Sequence, residues 1–160
     1  MPISPEALEL ENRSIGVDGE PTMAAAYRIP KGQWDSGERD REIGLHLMFL
    51  AWFGIVEPGH ITGFSDTDGE KRELQQVLNE MHSFFEPLIH NDAEILYAFG
   101  LAADLFGYMF DDAPTWEYRA EEYKRLYRQL RPDGLDPTIF QSRGAYGDYY
   151  EGHARLKGGY

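Results

Sequence analysis

The sequence contains no cysteine, which excludes a disulfide framework, a thiol nucleophile and a cysteine-ligated zinc or iron–sulfur site. Basic residues are scarce as well. Only 15 Lys and Arg stand against 28 Asp and Glu, and the net charge is -13. This balance excludes a general affinity for nucleic acid as the leading hypothesis, because nucleic-acid backbones are themselves polyanions.

A long hydrophobic run is also missing. The longest apolar stretch extends from Ile43 to Val56 and is shorter than the roughly 20 residues that a membrane-spanning helix needs. The first residues have neither the basic start nor the apolar run of a secretory signal. We therefore predict a protein that does not enter the membrane and that is located in the cytoplasm.

Helical periodicity is absent from residues 1–34, which several prolines interrupt. This segment is predicted to be an extended arm that packs through Tyr27, Ile29 and Trp34. Beyond it, apolar residues recur at spacings of three and four. These spacings predict helices near residues 36–57, 67–86, 92–111 and 114–131.

The predicted fold class is all-α. Four helices with short connections favour an antiparallel four-helix bundle, with the arm and a Gly- and Tyr-rich C-terminal tail packed on it. A chain of 160 residues supports one hydrophobic core, so we predict a single domain. Its parts are the arm at residues 1–34, the bundle at 35–131 and the tail at 132–160.

Local signals mark the helix starts and the tail. A carboxylate three residues after a capping side chain predicts a helix start, and this pattern occurs at Asp35, Thr67 and Asn91. In the tail, a short helix is predicted from Asp136 to Phe140, followed by a loop or a single turn. The tail tyrosines are predicted to pack on the bundle rather than to form a binding surface.

The sequence contains no spacing of residues that is suitable for binding a metal ion or a cofactor. The single Glu-x-x-His motif, from Glu57 to His60, is interrupted by Pro-Gly. His82, Glu86 and His90 have helical spacing that suits zinc, but Pro87 interrupts it. Neither a Gly-x-Ser-x-Gly motif nor a phosphate-binding glycine loop is present. We predict no metal site and no cofactor.

Three residues are candidates for catalysis. His46 and Asp104 are the ionisable residues deep inside two apolar helices, and a buried charge requires a partner. The two are predicted either to bond each other or to find separate partners, such as a Tyr hydroxyl. His60 lies in a turn-rich loop between two core helices, where function is frequent, although its glycines also suit a plain turn. An ion pair that only stabilises the fold would also place ionisable residues inside apolar helices, so a catalytic role is the weaker interpretation.

The negative charge is unevenly distributed. Residues 1–112 contain 21 acidic and 7 basic residues, whereas residues 113–160 contain 7 and 8. Such a field steers basic partners, and it also keeps a small protein soluble. If a partner docks on the second predicted helix, the residues that bind it are predicted to be Asp66, Asp68, Glu70 and Glu73.

Two functional hypotheses follow. The first is a non-enzymatic protein that binds a basic protein partner, as an inhibitor, an immunity protein or an adaptor does. The second is a small helical enzyme or ligand-binding protein with a polar pocket near His46, His60 and Asp104. Homo-oligomerisation is compatible with both hypotheses. A convex carboxylate-lined face favours the first, and an enclosed pocket with converging polar groups favours the second.

Overall fold

Helices make up all the regular structure in the described part of the chain. The structure is a computed structural model that describes residues 3–15 and 20–157, and the all-α prediction is confirmed there. The α-helices in these ranges are α1 (Pro5–Ile15), α2 (Met23–Asp35), α3 (Arg41–Val56), α4 (Gly59–Thr62), α5 (Asp68–Phe85), α6 (Ala93–Phe106), α7 (Ala113–Leu130) and α8 (Gly144–Lys157). Two 3₁₀ helices are also present, at Gly107–Met109 and Pro137–Phe140.

The predicted helices correspond to α3, α5, α6 and α7, but α3 starts at Arg41 rather than near residue 36, and α6 ends at Phe106 rather than near residue 111. The helix start predicted from the capping pattern at Asp35 is wrong, because Asp35 is the last residue of α2 and accepts a hydrogen bond from Lys31. Asp40 caps α3 instead and accepts hydrogen bonds from the amides of Glu42 and Ile43. Likewise, Asp92 rather than Asn91 caps α6.

The prediction of an extended N-terminal arm is wrong, because α1 and α2 occupy most of residues 1–34. Pro5 is the first residue of α1, where a missing amide hydrogen costs nothing. Pro30 lies inside α2 and is buried there. Burial of one face of α2 offsets the hydrogen bond that this proline removes.

The C-terminal tail is more helical than predicted. The short helix after Asp136 is confirmed, since the Asp136 carboxylate caps Pro137–Phe140 through the Thr138 amide. The loop or single turn predicted to follow is wrong, because α8 extends from Gly144 to Lys157. The parts of the predicted arm and tail at residues 1–2, 16–19 and 158–160 lie outside the described residues.

The chain divides into two compact units. The first contains the residues up to Met81 together with Arg143–Tyr146, and the second contains His82–Ser142 and the residues from Gly147 onward. The single domain, the antiparallel bundle and the packing of the tail on it therefore stay predictions. None of the helices within residues 3–15 and 20–157 has both the length and the apolar character of a membrane span.

The core of the first unit is formed around α3. Every residue from Ile43 to Trp52 is buried, as expected for a helix that is apolar on all sides. Helix α2 packs on α3 and on α1. The indole nitrogen of Trp34 on α2 donates a 2.8 Å hydrogen bond to Glu80 on α5.

The core of the second unit is formed by α6 and α7, which pack closely. A Cβ atom at Gly107 would lie 3.3 Å from the Cβ of Trp116 on α7, so the absence of a side chain at this position lets α7 approach closely. The buried Tyr97, Tyr127 and Tyr150 form a cluster of ring contacts. In this unit the Tyr150 hydroxyl also donates to the Ala98 carbonyl at 2.8 Å.

Candidate functional site

The four carboxylates predicted to bind a partner lie at the start of α5 and just before it. We call Asp66, Asp68, Glu70 and Glu73 the acidic surface. Thr67 Oγ1 accepts a 3.3 Å hydrogen bond from the Glu70 amide, so the capping pattern predicted at Thr67 is confirmed. Asp68 and Glu70 lie in the first turn of α5, where the helix dipole stabilises negative charge.

The members of the acidic surface differ in what they contact. Asp66 accepts a 3.0 Å hydrogen bond from the Gly59 amide, and Glu70 accepts a 2.8 Å bond from the Ser65 amide. These two side chains therefore hold the loop before α5. Asp68 and Glu73 are exposed, and neither forms a hydrogen bond or ion pair within the described residues. They are the two whose charge is available to a partner.

The loop from Glu57 to Asp66 is organised by its own contacts. A Cβ atom at Gly59 would lie 2.3 Å from the Phe64 carbonyl oxygen, and the buried Thr62 side chain accepts from the Phe64 amide at 3.2 Å. His60 is exposed. The close packing accounts for the glycines without a ligand, which favours the interpretation of this loop as a structural turn.

We expect Gly59→Ala to lower the free energy of unfolding by about 1–3 kcal/mol, because the new methyl group would overlap a backbone carbonyl. Urea unfolding followed by tryptophan fluorescence measures the change. Gly69→Ala is the matched control, since a Cβ atom there meets nothing within 4 Å, and it should leave stability equal or higher. Equal stability of the two variants would contradict the packing argument.

A cleft in the first unit adjoins the acidic surface. It has a volume of about 260 Å³ and lies between α2 and α5, with the loop before α5 as its third wall. Its floor is apolar and its rim is charged. The lining residues are Tyr27, Arg28, Lys31, Gly32, Asp35, Phe64, Glu70, Glu73 and Leu74.

The Tyr27 hydroxyl is the unusual group of this cleft. Tyr27 is 5% exposed, and its ring packs edge-on against Phe64 at 5.4 Å. The hydroxyl is buried and has no hydrogen-bond partner in the described part of the chain. Burial and then the charge of Glu73 raise its pKa well above the usual range, with smaller contributions from Asp35 and Glu70. The hydroxyl therefore remains protonated in a negative environment.

A second polar cluster of the first unit surrounds His46, which is fully buried. Its Nδ1 lies 2.7 Å from Glu11 Oε2, and its Nε2 lies 3.2 Å from Glu42 Oε1. Arg143 then binds Glu42 through two hydrogen bonds of 2.9 and 2.6 Å. We call these four side chains the His46 network.

Charges alternate along the His46 network, so each carboxylate lies beside a cation. Burial alone would lower the pKa of His46, but its hydrogen bonds to the carboxylates of Glu11 and Glu42 outweigh that effect and raise the pKa. Burial would likewise raise the pKa of Glu42, but its bonds to His46 and Arg143 lower it to about 2. These contacts therefore favour the charged forms of His46 and Glu42.

Of the two alternatives predicted for His46, contact with Asp104 is wrong and separate partners are right, because Glu11 and Glu42 occupy both ring nitrogens. Asp104 is exposed rather than buried. The three candidate catalytic residues thus lie in different environments, with His46 buried and His60 and Asp104 exposed. Their catalytic role was the weaker interpretation of the sequence, and it stays a hypothesis.

His82 lies in the second unit within an aromatic box. Its Nε2 lies 2.5 Å from the Tyr123 hydroxyl, the Tyr123 ring stacks on it, and Trp116 and Phe99 meet it edge-on. Within residues 3–15 and 20–157, no group of three or more His, Asp or Glu is placed to hold a metal ion. His82 is therefore buried among these rings, whereas Glu86 and His90 are exposed.

Comparisons of this chain with protein-family models, with curated proteins and with solved structures found no match. The case for a function therefore rests on the geometry of the chain itself. The sequence interpretation missed Tyr27 and Gly32 as cleft residues and Glu11 and Arg143 as partners of His46. Tyr27 was detectable, because Met23, Tyr27, Pro30 and Trp34 recur with helical spacing. No local signal connects Glu11 or Arg143 with His46.

Proposed function

We propose that this protein is a cytoplasmic, non-enzymatic binding protein whose acidic surface docks a basic protein partner. The single observation that carries the proposal is the exposure of Asp68 and Glu73, which have no partner within the described residues. Their neighbours Asp66 and Glu70 are already engaged with backbone amides. Two free charges beside a cleft are the features that a basic partner recognises.

The overall charge supports the same proposal. The excess of acidic residues lies within residues 1–112, which include the acidic surface. A field of one sign raises the association rate of an oppositely charged partner, and salt weakens it. An antiparallel bundle would place further carboxylates at its poles. Solubility alone requires negative charge but no particular location for it, and this difference makes the proposal testable.

Charge reversal at Asp68 and Glu73 tests the acidic surface directly. We expect D68K/E73K to slow association with a basic partner by about tenfold at 0.05 M salt. The partner is captured from the native host, identified by mass spectrometry, and its association rate is measured by surface plasmon resonance. Wild-type association should slow as salt rises to 0.5 M, because the Debye length shortens about threefold.

A matched control separates the acidic surface from net charge. E117K/D148K changes the net charge by the same amount at two exposed positions of the second unit. It should slow association far less than D68K/E73K does. Equal slowing by both variants, or an association rate that ignores salt, would contradict docking at the acidic surface and leave the charge as a solubility feature.

A further inference from the structure

The outer side of α7, in the second unit, presents its charges in a fixed order. The buried side chains of this helix recur with helical spacing from Trp116 to Tyr127, and a groove of about 600 Å³ follows the opposite side, from Tyr118 to Gln129. We call the residues that line this groove the α7 face. Carboxylates line its first half and cations its second half. In chain order its charged residues are Glu121, Glu122, Lys124, Arg125 and Arg128.

Two charges of opposite sign on the α7 face are unpaired. Glu121 and Arg128 are exposed, and neither forms a hydrogen bond or ion pair within residues 3–15 and 20–157. Between them, Arg125 donates two hydrogen bonds of 3.1 and 2.6 Å to Glu122, so this pair is neutral as a unit. Residues seven apart lie on nearly the same side of a helix. The α7 face therefore presents one free negative and one free positive charge, two turns apart.

The order of these two charges is complementary to its own reverse. An antiparallel α7 from a second copy, related by a two-fold axis that passes between residues 124 and 125, would place its Arg128 opposite Glu121 and its Glu121 opposite Arg128. A two-fold interface repeats each contact in this way. A partner of uniform charge would be repelled by one of the two free charges. The charge order therefore favours a second copy of this chain over a basic or an acidic protein.

The aromatic residue of the α7 face suits an interface as well. Tyr118 is 71% exposed, and tyrosine and arginine are enriched where protein surfaces meet. In the antiparallel arrangement the Tyr118 ring lies toward the end of the second copy's groove, beside Gln129. Contact between copies would therefore remove a large exposed ring from water at each end of the paired helices.

The net charge of the chain also favours contact at this location. Two copies that each have a net charge of -13 repel one another. The repulsion is smallest where the charges are balanced, and residues 113–160, which include α7, contain 7 acidic and 8 basic residues.

We propose that the α7 face is a self-association surface on which a second copy of this chain docks its own α7 in antiparallel orientation, with reciprocal ion pairs between Glu121 and Arg128. The proposal does not depend on the acidic surface, because it uses residues of the second unit alone. The stripe from Tyr118 to Gln129 spans about 17 Å of helix, which is too short to bury the roughly 1,200 Å² of a standard interface. The dimer is therefore weak, with an expected dissociation constant of about 0.1–1 mM.

Self-association is measured on the full chain by sedimentation equilibrium, at concentrations up to about 1 mM, the upper end of the expected dissociation constant. We expect a monomer–dimer equilibrium, and we expect the ¹H–¹⁵N NMR signals of Tyr118, Glu121 and Arg128 to shift as the concentration rises. A monomer at every concentration, or concentration-dependent shifts that leave these three amides unchanged, would overturn the proposal.

Charge reversal tests the reciprocal ion pairs. Glu121→Lys and Arg128→Glu should each weaken self-association by about tenfold, because each variant turns two attractions into two repulsions. An equimolar mixture of the two variants should associate as the wild type does, since each supplies the charge that the other lacks. The double variant E121K/R128E should also recover association. Recovery shows that the variants are folded, and failure of both to recover while far-UV circular dichroism shows native helix content would overturn the ion pairs.

A matched control excludes an effect of net charge. Asp148→Lys changes the net charge by as much as Glu121→Lys does, at an exposed position that does not line the groove. It should not weaken self-association. Equal weakening by Asp148→Lys and Glu121→Lys would contradict a contact at the α7 face.

A final variant separates this arrangement from docking of the acidic surface of one copy on the cations of another. D68K/E73K should not weaken self-association, because neither residue belongs to the α7 face. If D68K/E73K abolishes self-association and Glu121→Lys does not, pairing of α7 with α7 is overturned and docking at the acidic surface stands. If the α7 variants behave as expected but D68K/E73K has no effect on a captured partner, the self-association surface stands without the proposed function.

Discussion

Glu11→Ala is expected to lower the free energy of unfolding by about 3–5 kcal/mol, because removal of one member of a buried ion pair leaves the other charge unpaired. Glu11 and His46 are both fully buried, and 2.7 Å separates Oε2 from Nδ1. In the variant His46 keeps Glu42 as its one remaining partner, so its pKa should fall. Urea unfolding at pH 7 measures the loss of stability, and ¹H NMR of the imidazole follows the pKa.

A control on the same helix isolates the buried pair. Glu9 lies two residues away on α1 and is exposed, so Glu9→Ala should change stability by less than about 0.5 kcal/mol. In a double-mutant cycle, His46→Ala and Glu11→Ala should together destabilise much less than the sum of the single effects. Additive effects, or equal losses for Glu9 and Glu11, would contradict a coupled pair.

The stability lost in Glu11→Ala should depend on pH, and the pKa of His46 gives the direction. The folded-state pKa of His46 is raised, so the network contributes fully below the unfolded pKa of about 6.5. Its contribution is lost as the pH rises through the higher folded pKa. The stability difference between the wild type and Glu11→Ala should therefore shrink at alkaline pH.

The sequence predicted helices wherever an apolar stripe was long and uninterrupted. Helix α5 begins and ends within one residue of its prediction, since its stripe from Leu74 to Phe85 is regular and Thr67 has a capping partner. Helix α2 has the same periodicity through Met23, Tyr27 and Trp34, but Pro30 on that face was taken as a break. A proline is tolerated inside a helix when burial of its face offsets the missing hydrogen bond.

Helix α8 could not be predicted from local propensity. Its glycines oppose helix formation by about 1 kcal/mol each. Tertiary packing of the other side chains of the helix offsets this cost. Tyr146 and Tyr150 are fully buried, each against rings from distant parts of its own unit. Burial of these two side chains accounts for the helix that presents them, which the sequence interpretation missed.

The parts of the candidate site that are contiguous in the sequence could be predicted, whereas the parts assembled from distant segments could not. The acidic surface is contiguous in sequence, so charge counting was enough to find it. The cleft and the His46 network depend on residues from distant segments, since 35 residues separate Glu11 from His46 and 101 separate Glu42 from Arg143. Asp104 was considered as one possible partner of His46 because it was isolated in an apolar helix, and isolation does not specify which side chain lies opposite.

Acidification from pH 7 to pH 5 is expected to remove about 2 kcal/mol of stability through His82 alone. Burial lowers the pKa of His82 to about 4, and the charge of Arg119 contributes to this shift. The unfolded chain takes up a proton near pH 6.5, whereas the folded chain resists protonation until about pH 4. The contribution of neutral His82 is therefore complete above pH 6.5 and is lost as the pH falls through this window.

His82→Gln isolates that contribution, because the amide can still bond Tyr123 but does not titrate. The variant has lower absolute stability through lost ring packing, so the decisive quantity is the change in unfolding free energy between pH 7 and pH 5. The wild type should lose about 2 kcal/mol more than the variant over this interval. His60→Gln, at an exposed histidine, should retain the wild-type dependence. His46 titrates with the opposite sign, so only this comparison between variants assigns the acid sensitivity to His82. Equal changes in unfolding free energy between pH 7 and pH 5 in the wild type and in His82→Gln would contradict a buried neutral imidazole at this position.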